Sequence, residues 1–167
     1  MQEIMRIIAA FSDKVADILK EHLEDGLISV CLFGSAARGT LRRGSDIDFL
    51  VIKRDSKQTY HKRVKEIVPL LDNIRETVEY QQVEGLNFDL EPCFLILTME
   101  EIADHPPILI DISQEGKILF DREGFLNTHV SEVQRTLTKL GATKKMTPQG
   151  HYWVLKPDLR IGEVIEI

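Results

Sequence analysis

Cysteine, basic charge and long apolar runs are what this chain has least of, and each shortage removes a class of protein. Only two cysteines occur in 167 residues. Cys31 and Cys93 sit in separate apolar stretches, without metal-ligand spacing or a secretory signal nearby, which predicts two buried free thiols rather than a disulfide. Lys and Arg together number 21 against 27 Asp and Glu, a formal charge of −6. That balance excludes a general nucleic-acid coat, which needs a basic surface to neutralise phosphates, and leaves room for no more than a local basic patch. No apolar run approaches the roughly 18 residues of a membrane span. Met1 to Ala10 has neither the basic start nor the cleavage pattern of a targeting segment, so a cytoplasmic protein is expected. Five histidines, His22, His61, His105, His129 and His151, are scattered without ligand spacing, and none reads as a metal ligand.

What the chain does have is concentrated between Leu32 and Val51. Val30, Leu32 and Phe33 read as the end of a buried strand, and Gly34-Ser35 then turns the chain into a short helix whose free N–H groups can face a phosphate. Glycine lets the backbone approach closely, and the serine hydroxyl can cap the helix or donate to a phosphate oxygen. Further on, Asp46 and Asp48 alternate with Ile47 and Phe49, so on a strand both carboxylates point to one face and the apolar pair to the other. Two acids on one face repel unless a cation sits between them. Strand, Gly-Ser turn, helix, the basic loop at Arg42 and Arg43, and paired carboxylates in this order suit a nucleoside triphosphate and its metal.

The rest of the chain supplies a scaffold. Ile4, Ile7, Ile8, Phe11, Val15, Ile18 and Leu19 recur at helical spacing until Asp25-Gly26. Residues 57 to 81 read as another helix, with Pro69 as a kink or break. Asn87 to Thr98 is the natural third strand. Asp89 and Glu91 share a parity just before its apolar half, so either can join Asp46 and Asp48; Glu91 is preferred because it abuts the apolar run and Pro92 fixes the chain after it. Thr98 to Glu101 has capping-box spacing and opens a short helix. A short strand at Lys117 to Asp121, a last helix from Arg122 to Leu140 and an aromatic tail, expected as extended chain packed on the domain, complete the reading. The fold class is α/β, a small mixed sheet flanked by helices. A core over 1–121 and a C-terminal helix and tail over 122–167 are expected to form one compact unit.

With Gly34-Ser35, Arg38-Gly39 and Ser45-Asp46-Ile47-Asp48 in that order, the sequence resembles the nucleotidyltransferase superfamily related to DNA polymerase beta. It looks most like the small, minimal members found in prokaryotes, largely archaea, and the Asp121-Arg122-x-Gly124-Phe125 run and the tail extend the likeness over nearly the whole chain. The resemblance implies one or two Mg²⁺ held by Asp46 and Asp48, with a third carboxylate, Glu91 or Asp89, as added ligand or general base. Gly34, Ser35, Arg38 and Ser45 would lie on the nucleotide. The implied activity is transfer of a nucleoside monophosphate, by default AMP from ATP, to a hydroxyl. Minimal members often act as antitoxins that adenylylate a tyrosine of a HEPN-type toxin, and the absence of a recognisable acceptor domain fits that reading. Two other readings stay open: a nucleotide-binding or silent protein-interaction module, and a modifier of small molecules of the aminoglycoside-resistance type. A homodimer is also expected, from exposed strand edges and the aromatic tail.

Overall fold

The computed structural model describes residues 2–54, 57–147, 150–160 and 162–165. Four strands form a mixed sheet: β1 (Leu27–Phe33), β2 (Asp46–Lys53), β3 (Glu91–Thr98) and β4 (Lys117–Asp121). Their order is β3-β2-β1-β4, with β1 antiparallel to both β2 and β4 and β2 parallel to β3. Central position explains the sequence of β1, which is buried on both faces and so is apolar nearly throughout rather than alternating. In β2 the faces separate: Ile47, Phe49 and Val51 enter one hydrophobic cluster, and Leu50 and Ile52 another.

The first cluster lies under α1 (Gln2–Leu23), α3 (Tyr60–Ile67), α4 (Leu70–Arg75) and α5 (Val78–Glu84). The second is covered by α6 (Met99–Ala103), α7 (Ile108–Glu115) and α8 (Phe125–Leu140), while α2 (Gly34–Arg38) follows β1 directly. The single helix expected over residues 57 to 81 is three short ones. Pro69 ends the first, having no N–H to give, and Thr77 starts the third, its hydroxyl accepting from the Tyr80 N–H and donating to the Ile74 carbonyl. The capping box at Thr98 and Glu101 is present. Glu101 also takes both terminal nitrogens of the buried Arg63, at 2.5 and 2.7 Å, and so ties α3 to α6.

The last helix starts at Phe125, later than expected, because Arg122–Gly124 is a single 3-10 turn. Asp121 fixes this junction: its carboxylate accepts from the Ser29 hydroxyl and from the Leu126 and Asn127 N–H groups, which supplies α8 with acceptors for its free first-turn donors. Arg122 donates to the carbonyls of Leu27 and Glu24. The Asp121-Arg122 pair therefore joins the sheet to α8.

Two expectations about the remainder need correction. The aromatic part of the tail is extended and packed, as expected, while its end is not: β6 (Gly150–Val154) pairs with β5 (Thr143–Thr147) as a hairpin that docks on α7, where Asp111 accepts from His151 and from the Trp153 indole. Beyond it Val164 is 85 % exposed rather than packed, and Ile167 lies outside the described residues. Cys31 is buried, its thiol pushed up to about 12 mainly by burial, but Cys93 is exposed, because β3 leaves that position uncovered at its open end.

Candidate active site

Strand register builds the candidate site. Phe33, the last residue of β1, pairs with Asp48 of β2, so the chain leaves β1 beside that carboxylate. Gly34 makes the turn with φ +69°, in the left-handed region that favours glycine. A Cβ on Gly34 would lie 2.1 Å from Asp48 Oδ2, so glycine is required twice over, by conformation and by the carboxylate packed against it. Ser35 follows in the first turn of α2, and Gly39 closes that helix, its N–H donating to the Ala36 carbonyl at 3.3 Å.

Asp46 and Asp48 share the face of β2 that carries Leu50 and Ile52, the α7 and α8 side. Asp46 is exposed and Asp48 half-buried. Burial raises the pKa of Asp48 above the usual carboxylate range, the charge of Asp46 raises it further, and Arg38 opposes them. The pair thus gathers negative charge that Arg38 offsets only in part, on hard oxygen atoms, the donor set of a Mg²⁺-class cation.

The other expected residues are placed less directly. Arg38 Nη1 donates to Glu115 Oε2 at 3.0 Å, and Glu115 also accepts from Lys144 of the hairpin. Burial pushes the Glu115 pKa up, but the hydrogen bonds from Lys144 and Arg38 outweigh it and hold it below the usual range. The Ser45 hydroxyl accepts from the Arg42 N–H at 2.9 Å and closes the loop before β2. Glu91 is the register partner of Asp46 across the parallel β2–β3 pair, but its carboxylate accepts from Arg75 at 3.1 Å and Tyr80 at 3.2 Å. Asp89 precedes β3 at φ +53° and accepts from Arg43 Nε at 2.8 Å. Asp89 and Glu91 line a pocket of about 260 Å³ with Tyr80, Glu84, Asn87 and Leu90. Gly34, Asp46 and Asp48 come together, then, while both candidates for the third acid are held by arginines to one side.

Sequence reasoning missed Cys93 and Glu115. Cys93 pairs in register with Asp48, and partial desolvation at the sheet surface together with the charges of Asp48 and Asp46 raises its thiol pKa. Counting parity from Asp46 along paired strands would have found it. Glu115 is separated from Arg38 by 77 residues, and no local pattern announces that contact.

A family model described as nucleotidyltransferase domain matches residues 12–119. A relative from Methanocaldococcus jannaschii, described as a "putative protein adenylyltransferase", is 27% identical over 131 residues, covering 77% of this chain and 82% of its own. The spectinomycin 9-adenylyltransferase of Enterococcus faecalis is 28% identical over 99 residues, 57% of this chain but 35% of that enzyme. Among solved structures, a MntA–HepT-type toxin–antitoxin mutant superposes with TM-score 0.48 at 18% identity, covering 78% of this chain and 92% of that one. A Shewanella oneidensis HEPN toxin, tri-AMPylated and in complex with MNT antitoxin, gives TM-score 0.40 at 17% identity over 80% of this chain and 92% of the other.

Proposed function

Because the chain belongs to the nucleotidyltransferase domain family, we propose that it transfers AMP from ATP, with Mg²⁺, to a tyrosine hydroxyl of a HEPN-type toxin for which it is the antitoxin. The observation that carries the catalytic half is the Asp48 carboxylate, raised in pKa beside Asp46 and packed on Gly34 at the mouth of a strand-to-helix turn. Support for the acceptor half is the description of the M. jannaschii relative as acting on protein, and both curated relatives are adenylyltransferases by name. The likeness to minimal prokaryotic members, archaeal ones included, agrees with that.

In this reading Asp46 and Asp48 hold the metal, and their hard oxygens fit it. Bound there, the cation supplies neutralisation of the charge that develops on the triphosphate. The backbone at Gly34 and the Ser35 hydroxyl take the outer phosphates, and Ser45, set on the nucleotide by the resemblance, also closes the loop from which Asp46 enters β2 opposite Glu91. Arg38, aimed by Glu115 and close enough to Asp48 to lower its pKa, offers its guanidinium to the same phosphates. The acceptor oxygen bonds to the α-phosphorus, the bond to pyrophosphate breaks, and the hydroxyl proton passes to Glu91. For that step Glu91 must exchange its contacts to Arg75 and Tyr80 for one to the acceptor, and Arg75 is left beside it to balance the charge.

The occupied state of Glu91 is also the observation that favours a second reading, a nucleotide-binding module without turnover. One experiment separates them. The protein is incubated with Mg²⁺ and α-labelled ATP alone, with the product of any neighbouring gene, and with an aminocyclitol antibiotic. Label on a tyrosine of the neighbouring protein is expected. Bound but unreacted ATP in every arm would give the silent module, and label only on the antibiotic would give small-molecule modification.

A further inference from the structure

Away from Asp46 and Asp48, the fold gathers a second set of ligating atoms. His105 lies between α6 and α7, and His129 and Glu132 are one turn apart on one face of α8. His105 Nε2 is 3.1 Å from His129 Nδ1 and 3.6 Å from Glu132 Oε2, and His129 Nδ1 is 3.8 Å from the same oxygen. We propose that these three side chains form a site for one Zn²⁺-class ion, with two imidazole nitrogens, one carboxylate oxygen and a solvent molecule as its four ligands.

The argument is geometric. Zn²⁺ takes nitrogen and carboxylate oxygen at about 2.0–2.2 Å in a tetrahedral arrangement, which sets neighbouring ligand atoms about 3.3 Å apart. The triangle formed by the three atoms has sides bracketing that value, and an ion raised about 0.5 Å from its plane, towards the solvent ligand, lies about 2.1 Å from each atom. A hydrogen bond between the two histidines explains the shortest side alone; it does not require the Glu132 oxygen to stand at a similar distance from both nitrogens. The positions are also fixed by the backbone. His105 has φ +46°, its N–H donates to the Ile102 carbonyl at 2.9 Å, and Pro106-Pro107 follows, so the loop presents the ring in one direction. The Phe125 ring packs on His129 with centroids 4.7 Å apart. The two histidine side chains are 18% and 17% exposed and Glu132 43%, a depth that shields two ligands and leaves a side open to solvent. Nitrogen donors separate this site chemically from the all-oxygen pair at Asp46 and Asp48. An ion here clamps the loop after α6 to α8.

The test is a titration of the tag-free, chelator-treated protein with Zn²⁺, and with Co²⁺ as a spectroscopic stand-in, followed by calorimetry and visible absorption. One equivalent with tetrahedral Co²⁺ bands is expected, unchanged in Asp46→Ala/Asp48→Ala. Affinity should fall by roughly 100-fold in His129→Ala and by about 10-fold or more in Glu132→Gln. Glu132→Gln keeps a good helix former on a partly exposed face and so guards against loss by unfolding, with circular dichroism as the check. No bound equivalent in the wild type, or Zn²⁺ affinity unaltered in the folded Glu132→Gln and His129→Ala proteins, overturns the proposal.

Discussion

Gly34→Ala tests how the site is built, because the contact it disturbs is known to the atom. Two penalties combine. Alanine at φ +69° costs about 1–2 kcal/mol of backbone strain, which in a chain of this size lowers Tm by roughly 2–8 °C. The new methyl would start 2.1 Å from Asp48 Oδ2, so the carboxylate must retreat by more than ~1 Å to reach ordinary contact, and a misplacement of that size costs about 100-fold in rate. Gly39→Ala is the control: its φ of +71° carries the same strain, but its Cβ would meet only the flexible end of Met5, at 3.5 Å. Differential scanning calorimetry and Mg²⁺-nucleotide titration on both variants separate the effects. Both should lose similar stability from strain, with any excess in Gly34→Ala, and only Gly34→Ala should lose nucleotide binding and transfer. Wild-type binding in a folded Gly34→Ala protein would refute the reasoning.

Three further outcomes follow from the same structure. Asp48 has a raised folded-state pKa, so its contribution to stability is full below the ordinary value of 3.8 and is lost as pH rises through the raised one; Asp48→Asn should therefore raise Tm at pH 7 in chelator, with the gain fading in acid and nucleotide binding lost. Glu101 runs the other way. Arg63 holds its pKa below 4.5, so its stabilisation is present above that value and disappears as pH falls through the depressed one. Glu101→Gln should cost about 1–3 kcal/mol in urea unfolding at pH 7, with a flatter acid limb, and an unchanged midpoint would contradict the Arg63 pairing. Glu91→Gln should slow transfer while leaving nucleotide affinity within a few-fold of wild type, and Asp89→Asn should change neither rate nor affinity; equal activity in both variants removes the third acid.

The parts legible in the sequence were those set by neighbours along the chain. Gly34-Ser35 after an apolar strand and Asp46-x-Asp48 opening another are local patterns, and their meeting follows once β1 and β2 pair with Phe33 opposite Asp48. The Thr98 capping box and the strand at Lys117–Asp121 are equally local. What escaped depends on long-range placement. Thr77 competes as a cap against a periodicity that reads as continuous helix, so the segment divides into three. The partners of Asp111, His151 and Trp153, lie some 40 residues on, so where the extended tail docks could not be read locally. The contact between His105 and His129 escaped because the two lie on different elements, which spacing along the chain does not connect. Parity left Asp89 and Glu91 equal and the apolar run favoured Glu91, which the register sets opposite Asp46; that Arg75 and Tyr80 take its oxygens depends on a helix no local pattern connects to it.

The central claim is that Gly34, Asp46 and Asp48 form one metal–nucleotide site, and calorimetric titration with AMP-PNP tests it most directly. Binding should require Mg²⁺, and it should fall by at least tenfold in Asp46→Ala and in Asp48→Ala, each still folded by circular dichroism. AMP-PNP that fails to bind at millimolar concentration, or binds equally well without Mg²⁺ and in both variants, would contradict the account.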